Sequence, residues 1–482
     1  MSLVIGCDSF LSLRNVRNGD LGRRLTGERV IVLVDPSQYE GSLASCPDGV
    51  ELDCLLEFDA DADPTLSPLL YSSYYTRKSY YDPATFWAKL RASSYRNNPR
   101  GGIRRLASLG KARYELTSHW IAGRFGLARQ RRSAFIEALR KHKVTEQYKS
   151  LLRECKAELV IGFSPEGTRE MALLEAANDL GIPTGVMIRS RDNLASKIPH
   201  LPDADTYLVW SEATQRYLLK MYPEISSEQV QVIGSPQFDH HFDPDYRLDR
   251  ESFFSLIGLD ANRPLIVYTM ATPGLVDHEI EIAQHLADAA NAGRFARNAQ
   301  LLVRGHPRMF GSDVKLLHKE YPEARAYPQP TQVPYKSSAH EAAVVRSILD
   351  DEPIHLAMLA YQDVQVNICG TMTIDSAIFD KPTVNVYYDL VRDIPPGLSV
   401  RRFYQRSDIK QMMSYQASRL ANSPEECISL INQYLNNPTI DAEGRRRACQ
   451  EDCGPLDGKA GSRIADIMRV LACREAECLV QQ

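Results

Sequence analysis

Short apolar runs recur along this chain, each followed by a longer stretch with helical patterning, and that alternation constrains the fold more than any other feature. Runs that alternate with helices in this way argue for a parallel α/β architecture. In the first half the strand-like runs are Arg29–Val34, Leu52–Phe58, Glu158–Gly162, Thr184–Ile188, Thr206–Trp210 and Gln229–Gly234. In the second half they are Leu265–Thr269, Leu301–Val303, Gln365–Cys369 and Thr383–Tyr387, the last expected to close its sheet. Helical patterns fall near Arg169–Leu180, Glu212–Met221, Arg250–Leu256, His278–Ala290 and Arg463–Leu471. Pro165 just inside the start of one helix and Gly181 just past its end show the expected asymmetry of helix termini. An Asp-rich stretch, Asp239–Asp249, reads as a boundary. The predicted organisation is therefore a first α/β domain over 1–240, a second over 241–440, and C-terminal helices over 441–482.

At 482 residues, with 44% hydrophobic and 24% charged residues, the chain is long enough for two or three domains with large cores. No apolar run is long enough to span a bilayer, and no basic segment precedes the first apolar residues. The ten cysteines are scattered, with no Cys-x-x-Cys pair, which fits free thiols in a reducing cytosol. The net charge of −4 conceals an uneven distribution: residues 76–153 carry 19 Lys and Arg against 4 acids, interleaved with aromatics. Such a region suits an anionic membrane surface better than nucleic acid, because no nucleic-acid reading motif accompanies it. The expected placement is cytoplasmic, peripheral on the inner face of the membrane.

Within the second half, QLLVRGHPR (Gln300–Arg308) ends a strand abruptly in two guanidiniums and an imidazole. In open α/β sheets ligands sit beyond the carboxyl ends of the strands, where Arg304, His306 and Arg308 can hold a diphosphate. A second segment, VQVNICGTMTIDSAIFDKPTVNVYYD, reads strand, Gly-Thr turn, short helix and strand, so the two together predict a nucleotide-diphosphate site. Thr269 and Thr272 occupy the first strand-to-helix turn of this half and are further phosphate candidates. Catalysis requires a base facing the donor from the first half, and Asp192 and Glu166 follow first-half strands. Lys197, Arg169 and Asn193 lie beside them on the acceptor side. The run Asp59-Ala60-Asp61-Ala62-Asp63 has the donors for a divalent metal but reads as an acidic loop, so neither metal nor cofactor is expected.

Two doubly wound, Rossmann-like halves with one ligand in the cleft between them is the GT-B arrangement. The segments RGHPR (Arg304–Arg308), GTMTIDSAIFDKPTVNV (Gly370–Val386) and CGPLDGKAGSRIADIM (Cys453–Met468) resemble the C-terminal domain of the CDP-glycerol glycerophosphotransferase and capsule polysaccharide transferase superfamily. SRDNLASK (Ser190–Lys197), LVWSEAT (Leu208–Thr214) and VIGSPQFD (Val232–Asp239) add to the likeness. The resemblance implies a nucleotide-activated donor with His306 on its phosphate. It also implies Thr371 and Thr373 at a phosphate-facing helix start, and Asp375 on a ribose hydroxyl. The expected activity is nucleotide-sugar-dependent glycosyl transfer onto a glycan or lipid-linked acceptor in bacterial surface polysaccharide or glycolipid synthesis. The alternatives are a polyol-phosphate transferase of CDP-glycerol type, a nucleotide-sugar 2-epimerase, and a catalytically silent scaffold.

Overall fold

A computed structural model describes residues 2–480 apart from 40–41, 43–45, 47–48, 99–100, 165, 189–192, 198–199, 310–315, 318–319, 329–349 and 369. The chain forms two compact units. One comprises Met1–Leu90, Gly102–Phe242 and Glu451–Gln482; the other comprises Arg91–Gly101 and Asp243–Gln450. The tail read from sequence as one segment thus divides, its last helix Ala460–Val480 lying with the first unit.

The first unit holds seven strands: β1 (Ser2–Cys7), β2 (Arg29–Val34), β3 (Val50–Cys54), β4 (Leu159–Gly162), β5 (Thr184–Met187), β6 (Thr206–Val209) and β7 (Val230–Val232). Their order is β3-β2-β1-β4-β5-β6-β7, and every pair is parallel. The second unit holds six: β8 (Leu265–Thr269), β9 (Gln300–Arg304), β10 (Ala324–Tyr327), β11 (Val364–Asn367), β12 (Thr383–Val386) and β13 (Ser418–Ala421), in the order β10-β9-β8-β11-β12-β13, again all parallel. Parallel neighbours require crossovers, which place helices on both faces, so central strands read as unbroken apolar runs. β8 shows this directly. Ile266 and Tyr268 enter the core on one face, with Leu301, Val303, Val366 and Val384, while Leu265 and Val267 enter the other with Phe253, Leu302 and Ala357.

In each sheet the order reverses direction once, at β1/β4 in the first and at β8/β11 in the second, and these reversals are where open α/β sheets bind ligands. Three strands escaped the sequence reading. β1 opens the chain, while β10 (ARAY) and β13 (SRLA) are short, partly polar edge strands with no apolar run to reveal them. Because β13 pairs outside β12, the segment Thr383–Tyr387 does not close its sheet.

The basic region also looks different once folded. Arg77, Lys78 and Arg132 are buried. Arg77 pairs with Glu224 at 2.6 Å, Arg132 with Asp203 at 2.5 Å and Arg140 with Glu175 at 2.8 Å. Acids from beyond the region therefore cancel part of the excess that a linear count assigns to it.

Candidate functional site

Beside the second unit's reversal point two of the residues expected to meet a donor come together. β8 ends at Thr269, and the loop beyond it carries Thr272 to the side chain of His306, which follows β9; Thr272 Oγ1 lies 3.2 Å from His306 Nε2. His306 Nδ1 accepts the Arg308 backbone N–H at 3.1 Å, so the neutral ring carries its proton on Nε2. His306 is half-buried and Arg308 exposed.

The loop bearing Thr272 is tied down along its length. Glu279, at the start of the following helix Glu279–Asn291, accepts the Ala271 N–H at 2.7 Å and the Tyr268 hydroxyl at 3.2 Å. Burial pushes the Glu279 carboxyl up to about 7. His278 bonds Asp389 at 2.9 Å, and Arg402 donates to the Leu275 carbonyl. Burial raises the Asp389 carboxyl, but bonds from His278, Ser399 and the Val400 N–H outweigh it and hold it below the usual range. A loop held in this way presents its hydroxyl in one place, which is the condition for a preorganised contact.

The other predicted donor residues have different surroundings. Arg304 is buried in an ion pair with Asp351 and stacks 4.7 Å from the Tyr327 ring, so its charge is matched within the protein. Thr269 is buried and its hydroxyl accepts from Gln365 at 2.7 Å. Thr373 is buried too. It accepts from Asn367 at 3.4 Å and donates to Asn385 at 3.3 Å, and Asn385 donates to Ser418 at 2.7 Å, a network that links β11, β12 and β13. Asp375 is buried in the first turn of the helix Met372–Ile378. Thr371 is the exposed N-cap of that helix and makes no side-chain cap bond, and among the described residues a Cβ at Gly370 would meet nothing within 4 Å. Thr373 and Asp375, by contrast, face inward. Gly305 serves packing rather than backbone freedom, since a Cβ there would stand 3.1 Å from Leu316.

In the first unit the reversal point holds a cluster of acids. Gly6 and Gly162 face each other across β1 and β4, and a Cβ on either would lie 2.8 Å from the Glu170 side chain. These glycines make room for Glu170, which reaches over the strands and accepts the N–H groups of Asp8 at 2.6 Å and Ser164 at 2.8 Å. Full burial pushes its carboxyl up to about 8. Asp8, directly after β1, is pushed up to about 6 by burial, against the pull of Arg169. Arg169 bridges Asp8 at 3.0 Å and Asp35 at 2.5 Å, so it organises these carboxylates instead of standing alone as an acceptor-steering cation. Glu166 lies half-buried in the turn before the helix Thr168–Asp179. Asn193 is buried in the short turn Asn193–Lys197; Asp192 lies outside the described residues, as does the side chain of Lys197. Asp63 accepts the N–H groups of Thr65 and Leu66 at 2.8 and 2.9 Å, and among the described residues no three His, Cys, Asp or Glu side chains are grouped to hold a metal ion.

Sequence reasoning missed Asp8, Asp35 and Glu170. The signal was present: Asp8 and Asp35 each follow a strand directly, the first after an apolar run read only as a candidate leader and not as a strand.

No protein-family model matches the sequence, and no curated protein matches it. Solved structures match across nearly the whole chain. The UDP complex of S. aureus MnaA has a TM-score of 0.52 at 10% identity, covering 96% of this chain and 95% of that one. The UDP-GlcNAc 2-epimerase of Methanocaldococcus jannaschii has a TM-score of 0.50 at 13% identity, covering 98% of this chain and 100% of that one. At such identities the likeness is one of fold, and the fold of this chain is α/β and GT-B-like.

Proposed function

We propose that the chain is an enzyme of nucleotide-activated sugars, a glycosyltransferase of bacterial surface polysaccharide or glycolipid synthesis. The observation that carries this reading is the pairing of His306 with Thr272 beyond the carboxyl ends of β9 and β8, beside the second sheet's reversal point. In glycosyl transfer the bond from the anomeric carbon to the diphosphate oxygen breaks, and its electron pair leaves with the diphosphate. The His306 Nε2–H is the donor that meets this growing charge, with the Thr272 hydroxyl beside it and the exposed Thr371 and Arg308 as further contacts. The acceptor hydroxyl forms the new bond to carbon and gives its proton to a carboxylate. Glu166 and Asp192 are the sequence-based candidates for that role. Asp8, directly after β1 at the first sheet's reversal point, is a further carboxylate of that unit, raised to about 6 by burial.

A second reading, nucleotide-sugar 2-epimerisation, is favoured by the solved structures of similar fold, whose names include a UDP-GlcNAc 2-epimerase. Thermal shift with CMP, CDP, UDP, GDP and dTDP on wild type and His306→Ala tests the site and identifies the base. A stabilisation by one nucleotide that the variant loses supports it; equal stabilisation of both proteins refutes the placement at His306. Incubation with the matching nucleotide-sugar then separates the readings, since an epimerase yields the epimeric nucleotide-sugar with no acceptor present.

A further inference from the structure

The helix Gly102–Arg124 of the first unit carries a face that its own unit leaves uncovered. On one side Ala112, Ala122 and Gly123 are buried, and a Cβ at Gly123 would stand 2.4 Å from Tyr80, so this side packs on the helix Leu66–Tyr81. Along the other side Ile103, Leu106, Tyr114 and Ile121, with Phe125 just past the end, recur at helical spacing. Their exposures are 85%, 70%, 72%, 46% and 78%, far above those of apolar residues in a packed face. At 1.5 Å per residue the stripe from Ile103 to Phe125 runs about 33 Å.

Basic residues border this stripe on both flanks. One turn of the helical wheel places Arg104 and Lys111 on one margin and Arg113 and Arg124 on the other. The helix has five Lys and Arg against the single acid Glu115, which lies 3.8 Å from Lys111. Trp120, 42% exposed, sits at the same margin as Arg113, and Tyr114 lies within the stripe; both have rings suited to the boundary between headgroups and acyl chains. Among the described residues no helix is long and apolar enough to cross a membrane, so this helix can engage a bilayer only in its plane.

We propose that the Ile103–Phe125 face lies in the surface of an anionic lipid bilayer, with Ile103, Leu106, Tyr114, Ile121 and Phe125 among the upper acyl chains and Arg104, Lys111, Arg113 and Arg124 on the headgroup phosphates. Charge complementarity selects this occupant. Two copies apposed through the face would set like cations against each other, whereas anionic headgroups meet both basic margins at once. The inference rests on this face alone and stands apart from the reading of the nucleotide site.

Flotation of the full chain with phosphatidylcholine vesicles, with and without phosphatidylglycerol, tests it. The wild type floats with the anionic vesicles and stays behind with neutral ones. The joint replacement Ile103→Ser, Ile121→Ser and Phe125→Ser, all at exposed positions, cuts the bound fraction about tenfold or more while the melting temperature holds. Arg104→Gln with Lys111→Gln weakens binding and flattens its dependence on salt. Wild type that binds neither vesicle, or binds both alike, overturns the proposal, as does a triple serine variant that floats like wild type. A concentration-dependent dimer that the serine variant abolishes, with no vesicle binding, would assign the face to a second copy instead.

Discussion

His306 and Glu170 are both polar groups at a reversal point, yet their surroundings give them opposite roles. His306 is half-buried and turns Nε2 toward Thr272, so on the reading proposed above its loss removes a contact to ligand while the core is untouched. His306→Ala is expected to weaken binding of the cognate nucleoside diphosphate by about tenfold or more, the worth of one hydrogen bond to a charged group, with an unchanged melting temperature. Calorimetric titration checks this, and equal affinities would move the phosphate elsewhere. Glu170 is sealed inside and accepts two backbone N–H groups, one on each oxygen. Because its folded-state value of about 8 lies above its ordinary 4.5, the folded state binds the proton more tightly than the unfolded chain. Its contribution is then fully present below 4.5 and is lost as pH rises through about 8. Glu170→Gln sets an amide NH2 against one N–H and costs about 1–3 kcal/mol at acid pH. That gap should narrow as pH rises, because the variant has no carboxyl to ionise. Denaturant unfolding at several pH values reads the difference, and parallel curves for the two proteins would show that Glu170 holds its proton no more tightly in the folded state than in the unfolded chain.

At the scale of elements, strand pairing explains why a motif legible in sequence divides into residues that face a ligand and residues that hold the sheet. GTMTIDSAIFDKPTVNV reads correctly as turn, helix and strand, but sequence cannot say which hydroxyl points outward. Thr371, before the first turn, is exposed; Thr373, two residues on, points back into the sheet and ties Asn367 of β11 to Asn385 of β12. Arg304 shows the same limit. It ends β9 as expected, but its partner Asp351 precedes a helix far along the chain, and nothing local announces that pair. Thr373→Val keeps the shape and removes both bonds, leaving the Asn385 carbonyl without its donor. It should destabilise the second unit by about 1–3 kcal/mol and leave nucleotide affinity unchanged. Measuring both quantities on one variant separates the roles: lost affinity with intact stability would return Thr373 to the ligand.

Across the whole molecule, the hardest feature to read was where the chain returns. The alternation of apolar runs and helical patterns fixes two parallel sheets, because central strands declare themselves by composition. Long-range closure leaves almost no local trace. The last helix, Ala460–Val480, lies with the first unit, held by contacts that look unremarkable in sequence. Asp239 accepts the N–H groups of Ala460 and Gly461 at 3.0 and 2.9 Å, which satisfies two orphan donors of the helix start. Arg463 donates to the Ile233 carbonyl at 3.1 Å. The deciding residue is Gly461: a Cβ there would lie 2.0 Å from the Gly19 carbonyl oxygen and 2.4 Å from the Gly19 Cα. Both obstacles are backbone, so no rotamer relieves them. Gly461→Val must push the helix off its seat, at a cost of about 1–3 kcal/mol or more. The first unit would lose that stability while the second kept its nucleotide affinity, since β8, β9 and β11 are built wholly from its own residues. Thermal unfolding followed with and without the cognate nucleotide resolves the two. A variant as stable as wild type would mean that the helix is a passive tail, and equal loss in both units would mean that they unfold as one.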